Sequence, residues 1–397
     1  MRPHAVVVGA GPVGALSALL LARNNISVTL IEQNTSLLSV SRASTFHPST
    51  LDLLGSINVF LHAAPDAVMV DSIQWRDNRG GLRAEFKYDL IRDASKHPFR
   101  VHVEQQSLLN LLSELISVES EIETCFGTTV VGLNPERLSV TTLSVEGRRK
   151  TIHTDMVVGC DGAKSTVRRL AGIAFRAEDY PTFAIRASVR GDLTAHLPES
   201  APKPLSGLCY FRDGDDGASL LQMRHESRLI VRATKAQSEP ERLAEALSNA
   251  TPWRFNALSI DKIETYRLRR GVVDNYLSEQ GNVVVLGDAA HQTSTAGGLN
   301  MNSGIHDAFA MVPVLAELMR GRSAARPALE KIGKIRRDYL LNEVIPRSER
   351  RVQGLQEPGK RSVKENLMDL ERIAEDNARV RQFLIESSLL DSPLTVK

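Results

Sequence analysis

Cysteine is scarce: Cys125, Cys160 and Cys209 are the only three in the sequence. No two stand at metal-ligand spacing, and an odd number closes no disulfide framework. Each reads as a small buried apolar residue, and no metal site is expected. Excess charge of one sign is missing too. Lys and Arg number 49 against 47 Asp and Glu, a formal net charge of +2, which points away from nucleic acid or another polyanion as partner. No apolar run is long enough for a membrane span, so no membrane partner is expected. The first apolar run is strand-like and leads at once into Gly9-Ala10-Gly11, so no signal peptide is expected and the cytoplasm is the default compartment. Internal repeats and low-complexity tracts are absent. What is present is 397 residues, 42% hydrophobic and 24% charged, a globular composition with room for two or three domains.

Residues 5–8 read as a buried strand, followed by Gly9-Ala10-Gly11-Pro12-Val13-Gly14. Residues 15–23 read as helix, and residues 27–31 as a second strand that ends in Glu32. Strand, glycines, helix, strand and acid together form the dinucleotide-binding fingerprint. Gly9 makes the turn, Gly11 lets a pyrophosphate approach the helix start, and Gly14 packs helix on strand. Glu32 is placed for the ribose hydroxyls. Pro12, Val13 and Gln33 fall beside these contacts and join the expected cofactor-binding set. An acid at this point disfavours a phosphorylated ribose, so the tightly held cofactor is expected to be FAD or NAD.

A second constellation spans residues 282–310. Val283-Val284-Val285-Leu286 is a buried-strand run. Gly287 turns the chain and leaves Asp288 at the carboxyl end of the strand, where open α/β sheets bind ligands. Gly297 and Gly298 put no side chain between backbone and ligand. A helix is expected from about Asn302, with Ile305, Phe309, Val312 and Leu315 on its apolar face. Its start suits an anion. Residues 156–158 form a further strand, with an Asp161-Gly162 turn and a helix over 165–170.

Between these α/β segments the period changes to two. Residues 72–100 and 180–266 alternate as short strands, with an exposed turn over 213–217 and an amphipathic helix over 239–249. Residues 121–152 read as a small meander. After Met319 the chain is helical. Residues 353–364 are a polar break, and one amphipathic helix is expected over 365–389, docked on the cofactor-binding domain.

The Gly-Ala-Gly-Pro-Val-Gly, Asp161-Gly162 and Gly287-Asp288 motifs, in this order, resemble those of the FAD-dependent aromatic hydroxylases, single-component flavoprotein monooxygenases with the p-hydroxybenzoate hydroxylase fold. The resemblance covers nearly the whole chain. It implies an α/β protein: a Rossmann-like FAD-binding domain (1–72, 98–177, 268–352) interleaved with an antiparallel substrate sheet (73–97, 178–267), then a C-terminal helical segment (353–397). It implies that Asp288 binds the ribityl chain and that Gly298, Leu299 and Asn300 face the pyrimidine end of the flavin. Arg42 would lie over the cofactor near the pyrophosphate. A glutamine at the start of the helix after residue 104 would touch the flavin; Gln105 fits, with Gln106 as competitor. Asp161 would make a ribose or water-linked contact. Arg168 would anchor its loop or meet nicotinamide-cofactor phosphates, and Arg270 matches an arginine of similar members. Tyr210, Gln222 and Arg224 are the polar substrate candidates on the sheet.

The implied activity is reduction of FAD by NADH or NADPH, reaction with O2 to a C4a-hydroperoxide, and oxygen transfer to an aromatic or heteroaromatic small molecule. No second glycine fingerprint exists, so the nicotinamide cofactor would bind transiently. Two departures stand out. Ser294 or Thr295 replaces the usual proline, and Asn300 the usual third glycine; asparagine tolerates left-handed backbone. Alternatives on the same fold are a non-oxygenating FAD reductase or dehydrogenase and an FAD-binding protein without turnover. A flavin halogenase is disfavoured, because only Trp75 and Trp253 occur and the Trp-containing motif is missing.

Overall fold

Short β-branched runs followed by apolar helices give the chain its first sheet. The computed structural model describes residues 2–37, 43–195, 204–213, 216–233, 238–351 and 363–394. The first elements are β1 (His4–Val8), α1 (Pro12–Arg23), β2 (Ser27–Ile31), β3 (Thr45–Phe46) and α2 (Pro48–Gly55). β4 (Val68–Val70), β5 (Ser72–Arg76), β6 (Leu82–Lys87), β7 (Arg100–His102) and α3 (Gln105–Ser117) follow. Then come β8 (Ile122–Cys125), β9 (Thr128–Asn134), β10 (Ser139–Ser144), β11 (Arg149–His153), β12 (Met156–Gly159) and α4 (Thr166–Leu170). The next stretch holds β13 (Phe175–Arg190), β14 (Leu208–Asp213), β15 (Asp216–Gln222), β16 (Glu226–Ala233), α5 (Pro240–Ala250) and β17 (Lys262–Val273). β18 (Val283–Val285), β19 (His291–Gln292) and α6 (Leu299–Met319) precede α7 (Ala325–Tyr339), α8 (Ile345–Arg350), α9 (Val363–Ala374) and α10 (Asn377–Ser387).

Five of the strands make an all-parallel sheet in the order β18-β12-β1-β2-β8. Val6, Val7, Val157, Val158 and Val284 are fully buried in it. Helices cover both faces, which is why the strands read as unbroken apolar runs. Residues 15–22 of α1 are buried throughout, and α6 packs across α1. An eight-stranded sheet runs β19-β17-β13-β16-β15-β14-β5-β6. It is antiparallel except at the β14–β5 pair. Alternation gives it two faces. Leu220 and Leu229 pack against Leu243 and Leu247 of α5 on one side. Tyr210, Ser219 and Ile230 point to the other, toward the parallel sheet. Two small sheets, β11-β10-β9 and β3-β7-β4, fill the flanks.

The fold is therefore the expected α/β one, with two local corrections. The single C-terminal helix is two helices. Asp376 ends the first and caps the second, its side chain accepting from Ala378 N at 2.8 Å. The pair docks on the eight-stranded sheet and not on the parallel one: Leu367, Leu370, Val380 and Leu384 pack with Ile73, Trp75 and Phe86. Helix α6 begins three residues before Asn302, because Gly298 at φ +67° takes the cap position. The polar break over 353–364 falls outside the described residues, apart from the start of α9, and so does part of the 213–217 turn. No helix among the described residues is long and apolar enough to cross a membrane.

Three histidines sit where these layers meet, and all are fully buried: His47, His102 and His306. Burial lowers their affinity for protons, to a pKa of about 3 for His102 and His306 and well below the ordinary 6.5 for His47. The unfolded chain takes up these protons near pH 6.5, while the folded protein resists them. The histidines therefore cost no stability above about pH 6.5, and stability falls as pH drops from there toward 3. Each contributes a slope of about 1.4 kcal/mol per pH unit. We expect the chemical-denaturation midpoint to fall steeply between pH 7 and pH 5. A midpoint that is flat over this interval would contradict the buried, neutral state of the three rings.

Candidate active site

The carboxyl ends of β1, β2 and β12 open into a cavity of about 870 Å³ that continues beneath the eight-stranded sheet. The fingerprint turn forms one end. A β-carbon on Gly14 would stand 1.8 Å from Gly9 O, and one on Gly9 would stand 2.5 Å from Cys160 O. These two glycines let helix, turn and β12 touch. Gly11 differs: no protein atom lies within 4 Å of its missing β-carbon, and the residue lines the cavity. Helix α1 starts there with Pro12 in its first turn and no side-chain cap. Its first N–H groups have no partner inside the helix. Glu32 lies on the same wall with Gln33. One carboxylate oxygen accepts from Ala10 N at 2.8 Å and the other from Asn34 N at 2.9 Å. An uncapped helix start, an open glycine and a carboxylate one strand away fit a dinucleotide.

The start of α3 separates the two glutamines. Gln105 lines the cavity. Gln106 turns away and donates to Leu37 O and Asn110 Oδ1, both at 2.9 Å. Arg42 lies outside the described residues. The Asp161 carboxylate borders the cavity, but its oxygens are already used. Oδ2 accepts from Thr166 N at 2.7 Å and Val167 N at 3.0 Å and Oδ1 from the Ser165 hydroxyl, fixing the first turn of α4. Arg168 spans two loops, donating to Ala289 O at 2.7 Å and Ala163 O at 3.2 Å. Of its two expected roles, the anchoring one is visible. Arg270 is held by Glu178 and Glu349.

Asp288 enters the cavity from the turn after β18. Its Oδ1 accepts from Asn300 Nδ2 at 2.7 Å. Asn300 Oδ1 faces His291 Nδ1 at 3.1 Å, and His291 Nε2 faces Asp307 Oδ2 at 2.9 Å. Asp307 in turn takes Arg336 Nε at 2.9 Å. The tolerance of asparagine for left-handed backbone is not used at Asn300: φ is not positive there, and the residue lies in the first turn of α6. Its use is the amide, which spans an acid and an imidazole as glycine cannot. The other departure is also used. Ser294 Oγ and Thr295 Oγ1 accept from Arg232 Nη2 at 3.2 and 2.9 Å. Hydroxyls in place of the usual proline thus hold an arginine of the eight-stranded sheet.

Of the three substrate candidates, only Tyr210 reaches the cavity. Gly217, Ser219 and Leu221 of β15 line it, so Gln222, one residue on, points to the opposite face. There it donates to Met223 O at 2.8 Å and accepts from Ser227 Oγ at 2.6 Å. Arg224 lies exposed in the turn beyond the strand. The cavity wall instead carries Arg100, Arg186, Arg212, Arg228, Arg232 and Arg351. Strand parity counted from Tyr210 picks out Arg212 on β14. The others need the pairing register of β7, β13 and β16, or the packing of α8, which no local pattern supplies.

The glycines give a paired test. Gly14→Ala should leave the protein unfolded or insoluble, because the clash is with backbone. Gly11→Val should leave the fold intact and weaken dinucleotide binding at least about tenfold, roughly the loss of one charge-assisted hydrogen bond. Circular dichroism and cofactor titration check both, and a Gly11→Val protein with undiminished affinity would remove the helix start from the site.

Comparison with known proteins agrees with this geometry. The family described as the FAD binding domain matches residues 3–339. Para-nitrophenol 4-monooxygenase of a Pseudomonas species is 25% identical, over 97% of this chain and 95% of its own length. The 6-hydroxy-3-succinoylpyridine 3-monooxygenase of Pseudomonas putida is 25% identical, over 90% of this chain and 91% of that one. The crystal structure of p-nitrophenol 4-monooxygenase from Pseudomonas putida superposes with a TM-score of 0.87 at 22% identity, covering 98% of both chains. With the match running from the first strand to the end of α7, and the fingerprint, Asp-Gly and Gly-Asp segments on one cavity, the chain belongs to the FAD-binding family of the aromatic hydroxylases.

Proposed function

We propose that the protein is an FAD-dependent monooxygenase that uses NADH or NADPH and O2 to hydroxylate an aromatic or heteroaromatic small molecule, working in the cytoplasm. Continuity carries this reading: the dinucleotide groove and the inner face of the eight-stranded sheet are two walls of one cavity. A cofactor laid along the first has its reactive end under the second. Relatives named for a nitrophenol and for a hydroxylated pyridine support the substrate class. Residues 1–72, 98–177 and 268–352 would serve the cofactor, and residues 73–97 and 178–267 the substrate. The 353–397 segment, through α9 and α10, braces the substrate sheet.

Bound here, FAD supplies electron storage and activation of O2. The chain's part is to bind, orient and exclude water. The N–H groups at the start of α1 would receive the pyrophosphate beside Gly11. Glu32 would accept from the ribose hydroxyls. Gln105 and Asp288 would hold the middle of the cofactor, with Asn300 fixing the Asp288 carboxylate. Leu299, Asn300 and Met301, the first turn of α6, line the cavity. Their N–H groups and the positive helix end favour negative charge on the reduced ring by roughly 0.3–1 kcal/mol, and up to about 2 kcal/mol when partly buried.

The direct test is oxygen uptake by FAD-reconstituted protein with NADH or NADPH and a panel of aromatics. We expect a product one oxygen atom heavier than its substrate. NAD(P)H oxidation that yields only hydrogen peroxide with every aromatic would favour the reductase alternative. Gly298→Val probes the helix start. Gly298 has φ +67°, and its β-carbon would lie 3.3 Å from Thr45 Cβ, so the variant must shift the loop. It should hold FAD less tightly, at a lower reduction potential, and be reduced more slowly. A wild-type potential with normal reduction rates would place the flavin elsewhere.

A further inference from the structure

Asn300 replaces the usual third glycine of the Gly-Asp segment, and its amide is held from both sides. Nδ2 donates to Asp288 Oδ1 at 2.7 Å. With that nitrogen spent on a carboxylate, the amide oxygen is the atom that faces His291 Nδ1, 3.1 Å away. An amide oxygen only accepts. On the other edge of the ring, Nε2 lies 2.9 Å from Asp307 Oδ2. Asp307 is ionised: its pKa lies below the ordinary carboxylate value, and it already accepts from Gly287 N and Arg336 Nε. An ionised carboxylate also only accepts. Both ring nitrogens of His291 therefore face acceptors.

A neutral imidazole carries hydrogen on one nitrogen only. Either neutral tautomer of His291 would set a nitrogen lone pair against an oxygen lone pair, at 3.1 Å on one edge or at 2.9 Å on the other. The ring is completely buried, and a buried acceptor left without a donor is costly. Hydrogen on both nitrogens removes the conflict and makes the ring a cation. The charges then balance. His291 and Arg336 are the cations, Asp307 and Asp288 the carboxylates, and the Asn300 amide joins Asp288 to the other three. Buried charges persist where they are paired and hydrogen-bonded. Glycine at position 300 would take away the acceptor opposite Nδ1. A neutral ring with its one hydrogen on Nε2 would then satisfy Asp307.

We infer that Asn300 is a positioning residue that keeps both nitrogens of His291 hydrogen-bearing, so that a fixed buried cation stands behind Asp288 and the first turn of α6. Asp288 and Asn300 line the cavity, and His291 does not reach it. The charge therefore acts on a bound cofactor without touching it. In a setting without water a cation favours nearby negative charge far more than it would in solution, and the flavin ring gains negative charge on reduction. His291 thus adds to the helix end in favouring the reduced ring. The link to the flavin rests on placing its ring at the α6 helix start; the hydrogen count on His291 does not.

FAD-loaded protein labelled with nitrogen-15 in histidine is examined by NMR at neutral pH, with His291→Gln to assign the ring. We expect two hydrogen-bearing nitrogens on His291. In Asn300→Gly, which opens the space, and Asn300→Leu, which keeps the bulk without the amide, one of them should lose its hydrogen. If His291→Gln does not fold, the two Asn300 variants carry the assignment, since theirs is the histidine signal that changes. Potentiometry then reads the flavin. Each single variant should lower the ratio of reduced to oxidised flavin about tenfold at a given potential, about 30 mV for a two-electron couple. Asn300→Gly combined with His291→Gln should lower it no further, because both remove the same charge. A wild-type His291 with one bare nitrogen would overturn the inference. So would shifts that add in the double variant, or wild-type potentials in the Asn300 and His291 variants while Gly298→Val lowers its own. A wild-type potential in Gly298→Val as well would overturn the flavin placement, and the link with it, while a doubly hydrogen-bearing His291 would still stand.

Discussion

Asp307 is the charge on which the cofactor side of the molecule is assembled. Its side chain is completely buried, as are those of His291 and Arg336. It also accepts from Gly287 N at 3.2 Å and lies 3.3 Å from the Tyr276 hydroxyl. Burial opposes its ionisation, but the contacts with His291 and Arg336 outweigh this and hold its pKa below the ordinary carboxylate value. A buried ion pair is weak evidence for net stability, yet removing one partner costs about 3–5 kcal/mol, because the other is left uncompensated. Asp307 stands on α6, and its contacts come from α7, β19, the turn after β18 and the segment between β17 and β18. One carboxylate thus fixes how five segments meet. Through His291 and Asn300 the same network reaches Asp288, so a side chain with no access to the cavity sets the position of one that lines it.

A second constraint is the alternation of the eight-stranded sheet. One face is apolar and belongs to α5. The face that carries Tyr210 is covered by α9 and α10 at its β5–β6 end and open to the cavity beneath β13 to β16. The C-terminal helices also close back on the cofactor side. Arg100 donates to Ser387 O at 3.3 Å, and Ser49 donates to Ser388 O. The roof of the cavity is therefore tied at both ends: through β13 and β17 to the parallel sheet, and through α10 to α2 and β7. Such bracing suits a site that must keep water out while a small molecule enters.

Some of this was legible in the residues themselves, because their meaning is local. Gly9, Gly14 and Glu32 belong to a turn and a strand end whose geometry is fixed within thirty residues of chain. Asp288 follows a strand so apolar that it could only be buried. The misreadings share one cause. Asn300 could have stood in for glycine with left-handed backbone and is helical instead, since sequence shows which conformations a residue tolerates and not which one it takes. Gln222 sits one residue out of phase, and a strand that is one residue out of phase presents the wrong face.

Sequence alone settled the fold class and the order of the cofactor motifs, because each follows from a period or a turn that neighbours along the chain impose. Tertiary structure alone decided which charges face the cavity unmatched. Arg212 and Arg232 are twenty residues apart and meet only through the register of three strands. Arg186 and Arg228 stand on the same wall, yet each found a glutamate. Pairing over such distances is set by how sheets align and which acids they bring near. Net charge is blind to this: +2 spread over the whole chain conceals a cavity whose wall holds cations with no carboxylate partner among the described residues.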